Sequence, residues 1–407
     1  MSSIHISRNP NLNGNASLLP SSKSISNRTL ILNALSGNKS VITNLSSARD
    51  TQLMQALIDS PDKIIDIMDA GTTMRFLTAY FSLTGQHKVI TGSERMKQRP
   101  IGLLVNALRE IGVTIHYQEK EGFPPIETVG FSIQKGNTVR IPGDVSSQYI
   151  SALMMTAPLL RDGLVIQLEG KIGSRPYIEM TAALMKDFGI SCEFKGNSIH
   201  IHHGEYHPAS IAIEADWSAA SYWFAFIALA ETGKVTLPHV SEQSLQGDRV
   251  AVEVMNKLGV KTQFGKSLTV LTKQPHNTSL EWDFTDCPDL AQTVLPVCAA
   301  KGIPGRFKGL ESLRIKETDR IAALQAELAK IGAALQEGNS VWNLIPGHYS
   351  KAQSVTIKTY HDHRMAMGMA PLATMMDVTI ESPEVVNKSY PGFWEDMKGV
   401  GFEIKEA

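Results

Sequence analysis

Glycines recur along this chain at a nearly constant spacing. One series of apolar helical stretches ends at Gly112, Gly189, Gly259, Gly332 and Gly399, so that successive glycines are 77, 70, 73 and 67 residues apart. Glycine suits the left-handed position that commonly follows the last turn of a helix. A period of about 70 residues predicts supersecondary blocks that cannot bury their own apolar faces and must pack against one another.

A second series of helical stretches alternates with the first, and each is followed by a β-branched strand, as in "TLILNALSGNKSVITNL". These stretches close at Gly37, Gly85, Gly163, Gly233 and Gly302, with Asp377 in that place in a sixth stretch, "MAPLATMMDVTIES". Six blocks result, and the first is shortened, with "ARDTQLMQALIDS" as its second helix. Because 407 residues are more than a single hydrophobic core usually holds, we predict an α/β fold with two lobes of three repeats each.

The overall composition excludes several classes of protein. A formal net charge of -1 gives no indication of a nucleic-acid or anionic-membrane partner, so any basic site must be local. No transmembrane or signal segment is evident in the sequence, and we expect a cytoplasmic protein. Cys192, Cys287 and Cys298 are too few and too scattered for a disulfide framework or a zinc site, and they are predicted to be buried thiols.

Polar motifs precede the first helix of most blocks, namely "SSKSISNR", "DAGTTMR", "GDVSSQ", "DCPDLAQT" and "YHDHRMAM". The start of a helix leaves backbone N–H groups without partners and favours anions. Small residues there let an oxyanion approach, and Lys23, Arg28, Arg75 and Arg364 add full charges. Each motif alone is also an ordinary N-cap, but their repetition beside cations favours a site for a polyanionic small molecule.

The densest charge lies in "RIKETDR", at the start of an apolar helical pattern that contains Ile321 and Leu324. Taken alone, this run is typical of a solvated first turn, in which each exposed ion pair contributes about 0.3–0.5 kcal/mol. A nucleotide fold is disfavoured, because neither a G-x-x-x-x-G-K-[ST] loop nor a G-x-G-x-x-G turn occurs.

Nine motifs in order carry a resemblance to a known family: "KSISNR", "AGTTMR", "RMKQRPIG", "SSQYISAL", "RPYIEMT", "PDLAQT", "RIKETDR", "DHRMAMG" and "KSYPGFW". Over essentially its whole length the chain resembles the 5-enolpyruvylshikimate-3-phosphate (EPSP) synthase family of enolpyruvyl transferases. The resemblance implies a two-lobed inside-out α/β barrel of six βαβαββ repeats, three per lobe. Residues 21–213 would form the shikimate-phosphate lobe, 1–20 with 214–407 the discontinuous second lobe, and the active site would lie in the cleft between them.

The resemblance also implies an activity. The family transfers the enolpyruvyl group of phosphoenolpyruvate to the 5-hydroxyl of shikimate 3-phosphate, through a tetrahedral intermediate and with release of phosphate. This step belongs to the shikimate pathway, which leads to chorismate and the aromatic amino acids. No metal or organic cofactor and no nucleic-acid or membrane partner is expected, and we expect a monomer. Glyphosate would occupy the phosphoenolpyruvate site.

Site residues follow from the resemblance, position by position. Around shikimate 3-phosphate it places Lys23, Ser24, Arg28, Ser146, Ser147, Gln148, Ser174, Tyr177, Asp289, Ser312 and Lys316. Around phosphoenolpyruvate it places Lys23, Gly71, Arg99, Gln148, Arg320, Arg364 and Lys388. The expected catalytic residues are Asp289, which handles the hydroxyl proton, and Glu317 with Lys23 on the phosphoenolpyruvate side.

Three positions depart from the family pattern. Asp69 stands before "AGT" where the family usually has Asn, and we expect its charge to be turned into a helix cap or offset by Arg75 or Arg99. Ser312 takes a position that is usually Asn on the shikimate side, and Phe76 one that is Pro in many members.

Two alternatives remain open. The sister family transfers enolpyruvate to UDP-N-acetylglucosamine on the same fold, and it carries a reactive Cys in the loop ahead of its R-P dipeptide. The equivalent stretch here, "TGSERMKQRP", has none. A non-catalytic anion-binding scaffold is the other alternative, although such a protein would be expected to lose Asp289 or Glu317 first, and both are present.

Overall fold

The computed structural model describes residues 2–144, 146–347 and 354–407. The α-helices are α1 Lys23–Leu35, α2 Arg49–Ile58, α3 Gly71–Leu83, α4 Gly102–Glu110, α5 Ser147–Thr156, α6 Arg175–Asp187, α7 Trp217–Leu229, α8 Ala251–Lys257, α9 Ala291–Ala300, α10 Arg320–Ala329, α11 His363–Met369 and α12 Phe393–Gly399. Short 3₁₀ helices are Met96–Gln98, Ala157–Leu159, Gly247–Val250, Pro288–Leu290, Glu311–Ile315, Ala370–Thr374 and Pro383–Lys388.

The strands are β1 Ser3–Ile6, β2 Asn11–Asn15, β3 Val41–Thr43, β4 Ile64–Asp66, β5 Lys88–Thr91, β6 Val113–Tyr117, β7 Ile126–Phe131, β8 Thr138–Pro142, β9 Leu164–Glu169, β10 Cys192–Lys195, β11 Ser198–Ile201, β12 Ser210–Ala212, β13 Thr232–Pro238, β14 Val260–Phe264, β15 Leu268–Lys273, β16 Leu280–Asp283, β17 Gly305–Lys308, β18 Ala334–Gly338, β19 Val341–Ile345, β20 Val355–Ile357, β21 Val378–Glu381 and β22 Ile404–Glu406.

The chain divides into two compact units. The central unit is Lys23–Ile213, and the terminal unit combines the N-terminal segment up to Ser22 with Glu214–Ala407. Each unit has its own hydrophobic core, one running from Ile25 to Ile213 and the other including both chain ends. The assignment of one lobe to shikimate 3-phosphate and the cleft between the lobes stay predictions.

One strand order recurs in both units. In the central unit the sheets are β4-β5-β7-β6, β8-β9-β11-β10 and the short pair β3-β12. In the terminal unit they are β2-β13-β15-β14, β16-β17-β19-β18 and β20-β21-β1-β22. Each four-stranded sheet begins with a parallel pair and continues with two antiparallel pairs. The predicted α/β class and the repeated βαβαββ order are thereby confirmed.

The glycines that mark the repeats are mostly as predicted. Eight of the two series have positive φ, namely Gly37, Gly85, Gly112, Gly163, Gly189, Gly259, Gly302 and Gly332. The prediction is wrong for Gly233, which lies inside β13, and for Gly399, which lies inside the last turn of α12. Two residues later, Gly401 takes the left-handed conformation with φ +105°.

The first helix of each repeat is buried on nearly all sides. In α3, α5 and α7, which are described in full, the residues that are not buried are Thr72, Gln148 and Ser218, each in the first turn. Helices that are apolar all round must lie inside a core. In the central unit α3 packs against α1 and α5, and in the terminal unit α9 packs against α7 and α11. In α3, α5 and α7 the partly exposed positions are therefore confined to the N-terminal ends.

Cys287 and Cys298 are buried free thiols, as predicted, whereas Cys192 is only half-buried. None of the helices in the described part of the chain is long and apolar enough to cross a membrane.

The turns that follow the first helix of a repeat differ in how much space surrounds them, which gives a matched test of the fold. Gly85 and Gly163 close α3 and the α5 region with φ +71° and +63°. A Cβ at Gly85 would meet no heavy atom within 4 Å, whereas at Gly163 it would overlap the carbonyl oxygen of Ile201. We expect Gly85→Ala to lower the free energy of unfolding by about 1–2 kcal/mol, the usual cost of a left-handed non-glycine residue.

Gly163→Ala should lower the free energy of unfolding by a further ~1–3 kcal/mol, because β11 must move to relieve the overlap with Ile201. Urea unfolding followed by circular dichroism compares the two variants within the same unit. Equal midpoints would contradict the close approach of the Gly163 turn to Ile201.

Candidate active site

Charged side chains of the terminal unit gather where α9, α10 and α11 begin. We call this group the Arg320 cluster, and it comprises Asp289, Lys316, Glu317, Arg320, Asp362, Arg364 and Lys388. These residues come from four separate segments, which only the packing of the buried helices brings together. All of them except Asp362 were predicted site residues.

Arg320 is the centre of the cluster and only 2% exposed. Its Nε donates to Asp362 Oδ2 at 2.7 Å, its Nη1 to Asp289 Oδ1 at 2.9 Å and its Nη2 to Glu317 Oε2 at 2.9 Å. Burial alone would lower the pKa of Arg320, but the three carboxylates outweigh it and raise the pKa above its ordinary value. The guanidinium is therefore a permanent cation, and each of its three nitrogens donates to a carboxylate.

Asp289 is shared by two arginines. Its Oδ1 accepts from Arg320, and its Oδ2 accepts from Arg364 Nη2 at 2.9 Å. Burial would raise the pKa of Asp289, but the charges of Arg364, Lys316 and Arg320 outweigh it and hold the pKa well below its usual range. This carboxyl group is consequently ionised at neutral pH.

Arg364 and Lys388 complete the cluster. Arg364 also donates to Ser218 Oγ at 3.2 Å and to the Tyr222 hydroxyl at 3.4 Å. Lys388, 3% exposed, lies 3.3 Å from Glu317 Oε1. Ser312 is half-buried on the 3₁₀ helix Glu311–Ile315, next to the cluster in sequence.

The central unit has a second group, built around Arg28 of α1. Arg28 donates from Nε to Thr181 Oγ1 at 2.7 Å and from Nη2 to Ser151 Oγ at 3.0 Å. Its guanidinium carbon lies 5.3 Å from the ring centre of Phe76 and 6.0 Å from that of Tyr177. Burial lowers the pKa of Arg28 to about 10, so the side chain stays protonated at neutral pH. Phe76, one of the departures from the family pattern, thus supplies a cation–π contact.

Lys23 and Ser24 open the same helix. Lys23 Nζ lies 3.1 Å from Asp50 Oδ2, and the Ser24 carbonyl accepts from Arg28 Nη1 at 3.0 Å. Asp50 is buried in the first turn of α2 and was not predicted. Asp50 lies close enough to pair with Lys23 only because α2 packs against α1.

The starts of α3 and α5 lie side by side. Gln148 Nε2 donates to Thr72 Oγ1 at 2.9 Å, and Ser146 caps α5 by accepting from the Gln148 N–H at 3.4 Å. A Cβ at Gly71 would lie 2.7 Å from both terminal nitrogens of Arg99, so that guanidinium covers the start of α3. Ser147 is buried in the same α5 turn.

Ser174 precedes α6 in a left-handed conformation with φ +53°, and Tyr177 follows in its first turn. Of these two residues, Tyr177 contacts Arg28, through the cation–π contact described above.

Asp69 has a partner that the sequence did not predict. The helix-cap expectation is wrong, because Ala70 occupies the N-cap of α3 and no side chain caps that helix. Asp69 Oδ1 instead pairs with Arg49 Nη2 at 2.7 Å. Arg49 opens α2, twenty residues earlier, so no local pattern indicates the pairing.

The start of α7, the first helix of the fourth repeat, was not predicted to belong to the site. There "EADWSAAS" carries no cation, yet Ser218 contacts Arg364, and Asp248 accepts from the Ser218 hydroxyl. Within residues 2–144, 146–347 and 354–407, no group of His, Cys, Asp and Glu side chains could hold a metal ion.

The chain is similar to known proteins in both sequence and fold. The family model described as EPSP synthase (3-phosphoshikimate 1-carboxyvinyltransferase) matches residues 8–60 and 55–397. A 3-phosphoshikimate 1-carboxyvinyltransferase of Bacteroides fragilis is 48% identical over 391 residues, 95% of both chains. One from Haemophilus influenzae is 34% identical, over 94% of this chain and 95% of the relative.

A solved EPSP synthase from Acinetobacter baumannii has the same fold, with a TM-score of 0.77 at 18% identity and full coverage of both chains. The family match and the extent of these relatives lead to one conclusion. The chain belongs to the EPSP synthase (3-phosphoshikimate 1-carboxyvinyltransferase) family.

Proposed function

We propose that this protein transfers the enolpyruvyl group of phosphoenolpyruvate to the 5-hydroxyl of shikimate 3-phosphate and releases inorganic phosphate. The observation that carries the proposal is Asp289, a half-buried carboxylate shared by Arg320 and Arg364. An ionised carboxylate between two arginines combines a proton acceptor with an anion-binding site. The family resemblance favours a cytoplasmic monomer that acts in aromatic amino-acid biosynthesis.

The two groups of charges suit two anionic substrates. A phosphate monoester carries about -1.5 to -2 charge at pH 7, and each substrate also has a carboxylate. Arg320, Arg364 and Lys388 would bind phosphoenolpyruvate together with Arg99 and the start of α3. Arg28, Lys23 and the α5 start would bind shikimate 3-phosphate, with Ser24, Ser146, Ser147, Gln148, Ser174, Tyr177, Ser312 and Lys316 as further contacts.

Carboxylates of the protein itself already accept hydrogen bonds from the arginines that would bind the substrate. When a substrate carboxylate takes the terminal nitrogens of Arg364, Asp289 loses its contact with that cation. The pKa of Asp289 then rises from its depressed value, because Arg364 is the charge that lowers it most. Substrate binding thereby turns a weakly basic carboxylate into a more effective general base.

The proposed reaction has two halves. The Lys23 ammonium, with Glu317 beside the same substrate, donates one proton to the methylene carbon of phosphoenolpyruvate, and Asp289 accepts the 5-hydroxyl proton as that oxygen adds to the neighbouring carbon. In the second half the C–O bond to phosphate breaks, the departing phosphate takes the proton held by Asp289, and one methyl proton returns to the Lys23 and Glu317 side, which restores the double bond. Arg320 and Arg364 stabilise the anionic tetrahedral intermediate.

Phosphate release tests the proposal directly. The protein is mixed with phosphoenolpyruvate and either shikimate 3-phosphate or UDP-N-acetylglucosamine, and inorganic phosphate is measured. We expect release with shikimate 3-phosphate only. Release with the nucleotide sugar would favour the sister activity, and binding of both shikimate-pathway substrates without release would favour a scaffold.

We expect Asp289→Asn to lower kcat by roughly two to four orders of magnitude while shikimate 3-phosphate still binds. The amide cannot accept the hydroxyl proton, although its oxygen can still accept from Arg320. Steady-state kinetics and calorimetric binding measure the two effects. Asp286→Asn, an exposed aspartate three residues earlier, is the matched control and should keep near wild-type turnover. Comparable turnover in both variants would remove Asp289 from the mechanism.

Gly71→Ala is expected to weaken glyphosate more than phosphoenolpyruvate. The new methyl group would meet the guanidinium groups of Arg75 and Arg99, at 2.6 and 2.7 Å, so both must shift at the start of α3. Because the phosphonate of glyphosate is longer than the phosphate it replaces, it depends more on that space. We therefore expect some rise in KM for phosphoenolpyruvate and a larger rise in the glyphosate inhibition constant.

Inhibition measured at several phosphoenolpyruvate concentrations distinguishes the two constants. Gly136→Ala serves as control, because its Cβ would make only an ordinary contact, 3.5 Å from Glu110. Equal loss of both ligands in Gly71→Ala would show that this turn does not discriminate between them.

The Arg49–Asp69 pair predicts a rescue. Arg49→Ala removes one cation beside Asp69, two residues from Gly71, and we expect KM for phosphoenolpyruvate to rise about two- to fivefold, since exposed charges interact weakly. Adding Asp69→Asn should restore KM to near the wild-type value. Arg161→Ala, which removes another exposed arginine beside an aspartate, controls for net charge. A double variant as weak as Arg49→Ala alone would show that the pair does not act by charge compensation.

A further inference from the structure

The start of α7 is connected to the Arg320 cluster through a buried carboxylate outside it. Ser218 Oγ accepts from Arg364 Nη2 at 3.2 Å and donates to Oδ2 of Asp248. Asp248 lies on the 3₁₀ helix Gly247–Val250 and is 1% exposed. A continuous series of polar contacts therefore runs from Asp248 through Ser218 and Arg364 to Asp289.

Asp248 is not needed to attach its own segment to α7. Gln246, two residues earlier, already does so, since its side chain accepts from the Trp217 N–H at 3.0 Å and donates to the Ala215 carbonyl at 2.8 Å. Among the described residues, moreover, none donates a hydrogen bond to Oδ1 of Asp248. A buried carboxylate with one oxygen unsatisfied is costly, and such groups persist mostly where they serve a function.

We propose that Asp248 is a positioning residue, which through the Ser218 hydroxyl holds the Arg364 guanidinium in the orientation that binds the phosphoenolpyruvate carboxylate. The inference rests on the proposed function. Arg364 Nη2 has Ser218 and Asp289 as acceptors, and substrate competes with Asp289. Ser218 is then a contact that remains to keep Nη2 of the guanidinium in place.

The charge of Asp248 decides which way the Ser218 hydroxyl points. A hydroxyl has a single hydrogen, and an ionised carboxylate can only accept it. Ser218 then presents a lone pair to Arg364. A protonated Asp248 can instead donate to Ser218, and the hydroxyl hydrogen turns away from Asp248, which weakens the contact with Arg364.

The groups that face Asp248 place this change near neutral pH. Burial raises the pKa of Asp248, the charge of Arg364 lowers it, and Asp289 and Asp216 raise it again, with a result of about 6. The Cys287 thiol also faces Asp248, and burial raises its pKa, so it stays neutral. Arg249, on the same 3₁₀ helix, donates to the carbonyl of Glu242 instead. Asp248 is thus mainly ionised above pH 6 and neutral below it.

Asp248→Asn, Ser218→Ala and the double variant test the proposal. We expect each single variant to raise KM for phosphoenolpyruvate about tenfold at pH 7.5, with kcat and KM for shikimate 3-phosphate changed less than threefold. The double variant should be no worse than the singles, because both act on one contact. Additive losses, or an unchanged KM in Asp248→Asn, would overturn the proposal.

The pH profile separates positioning from a merely structural role. The KM ratio between Asp248→Asn and wild type should fall toward one as pH drops through about 6, because wild-type Asp248 also becomes neutral there. Titration of the substrates is common to both proteins and cancels in the ratio. A ratio constant between pH 5 and 8 would contradict the proposal.

Asp396→Asn is the matched control. Asp396 is also buried with a raised pKa, but it accepts from the Tyr390 hydroxyl at 2.5 Å and the Leu18 N–H at 3.0 Å. This variant should change stability without moving KM for phosphoenolpyruvate. If it raises KM as much as Asp248→Asn does, the effect is general and the proposal fails.

Unfolding measurements distinguish this inference from the proposed function. A carboxyl group whose folded pKa is raised contributes stability at low pH that is lost as pH rises through the folded value. The difference in free energy of unfolding between wild type and Asp248→Asn should therefore fall as pH rises from about 4 to 6, whether or not the enzyme turns over. Absence of phosphate release with that titration intact would refute the function alone. Identical pH dependence of unfolding in both proteins would refute the role of Asp248.

Discussion

The terminal unit depends on one buried guanidinium. Arg320 is bound by Asp289, Glu317 and Asp362, which precede or open three different helices. Burying a charge is favourable only when its partners are in place, and removing one partner of a buried pair typically costs about 3–5 kcal/mol. The three helix starts are therefore fixed relative to one another by electrostatics, and they meet where substrate anions could replace some of the internal contacts.

The location of the site follows from the apolar character of the first helix in each repeat. A helix buried on all sides cannot carry a charged residue in its middle without a partner. Its first turn, in contrast, has free N–H groups that polar side chains and anions satisfy. Thr72, Gln148 and Ser218 are the incompletely buried residues of α3, α5 and α7, all described in full. Repetition of one block thus places functional groups at equivalent ends of successive helices.

This regularity explains what could be predicted from the sequence. Glycine spacing predicted the repeat, motifs with adjacent cations predicted Arg28 and Arg364, and the family resemblance added Arg320. Gly233 and Gly399 were misassigned because a glycine near the end of a helical pattern can equally begin a strand or remain in the last turn. Asp50, Asp69 with Arg49, and Asp248 with Ser218 involve partners 20 to 30 residues apart, whose proximity depends on tertiary packing.

Near-balance of charge in the Arg320 cluster has a consequence for specificity. Arg320, Arg364, Lys316 and Lys388 face the carboxylates of Asp289, Glu317 and Asp362, among the side chains described there. A ligand with one negative charge would only exchange one carboxylate for another and gain little. A ligand with both a carboxylate and a phosphate brings more charge than it displaces. Under the proposed function, the internal carboxylates would compete with the ligand and favour multiply charged ligands, and the same competition would control the basicity of Asp289.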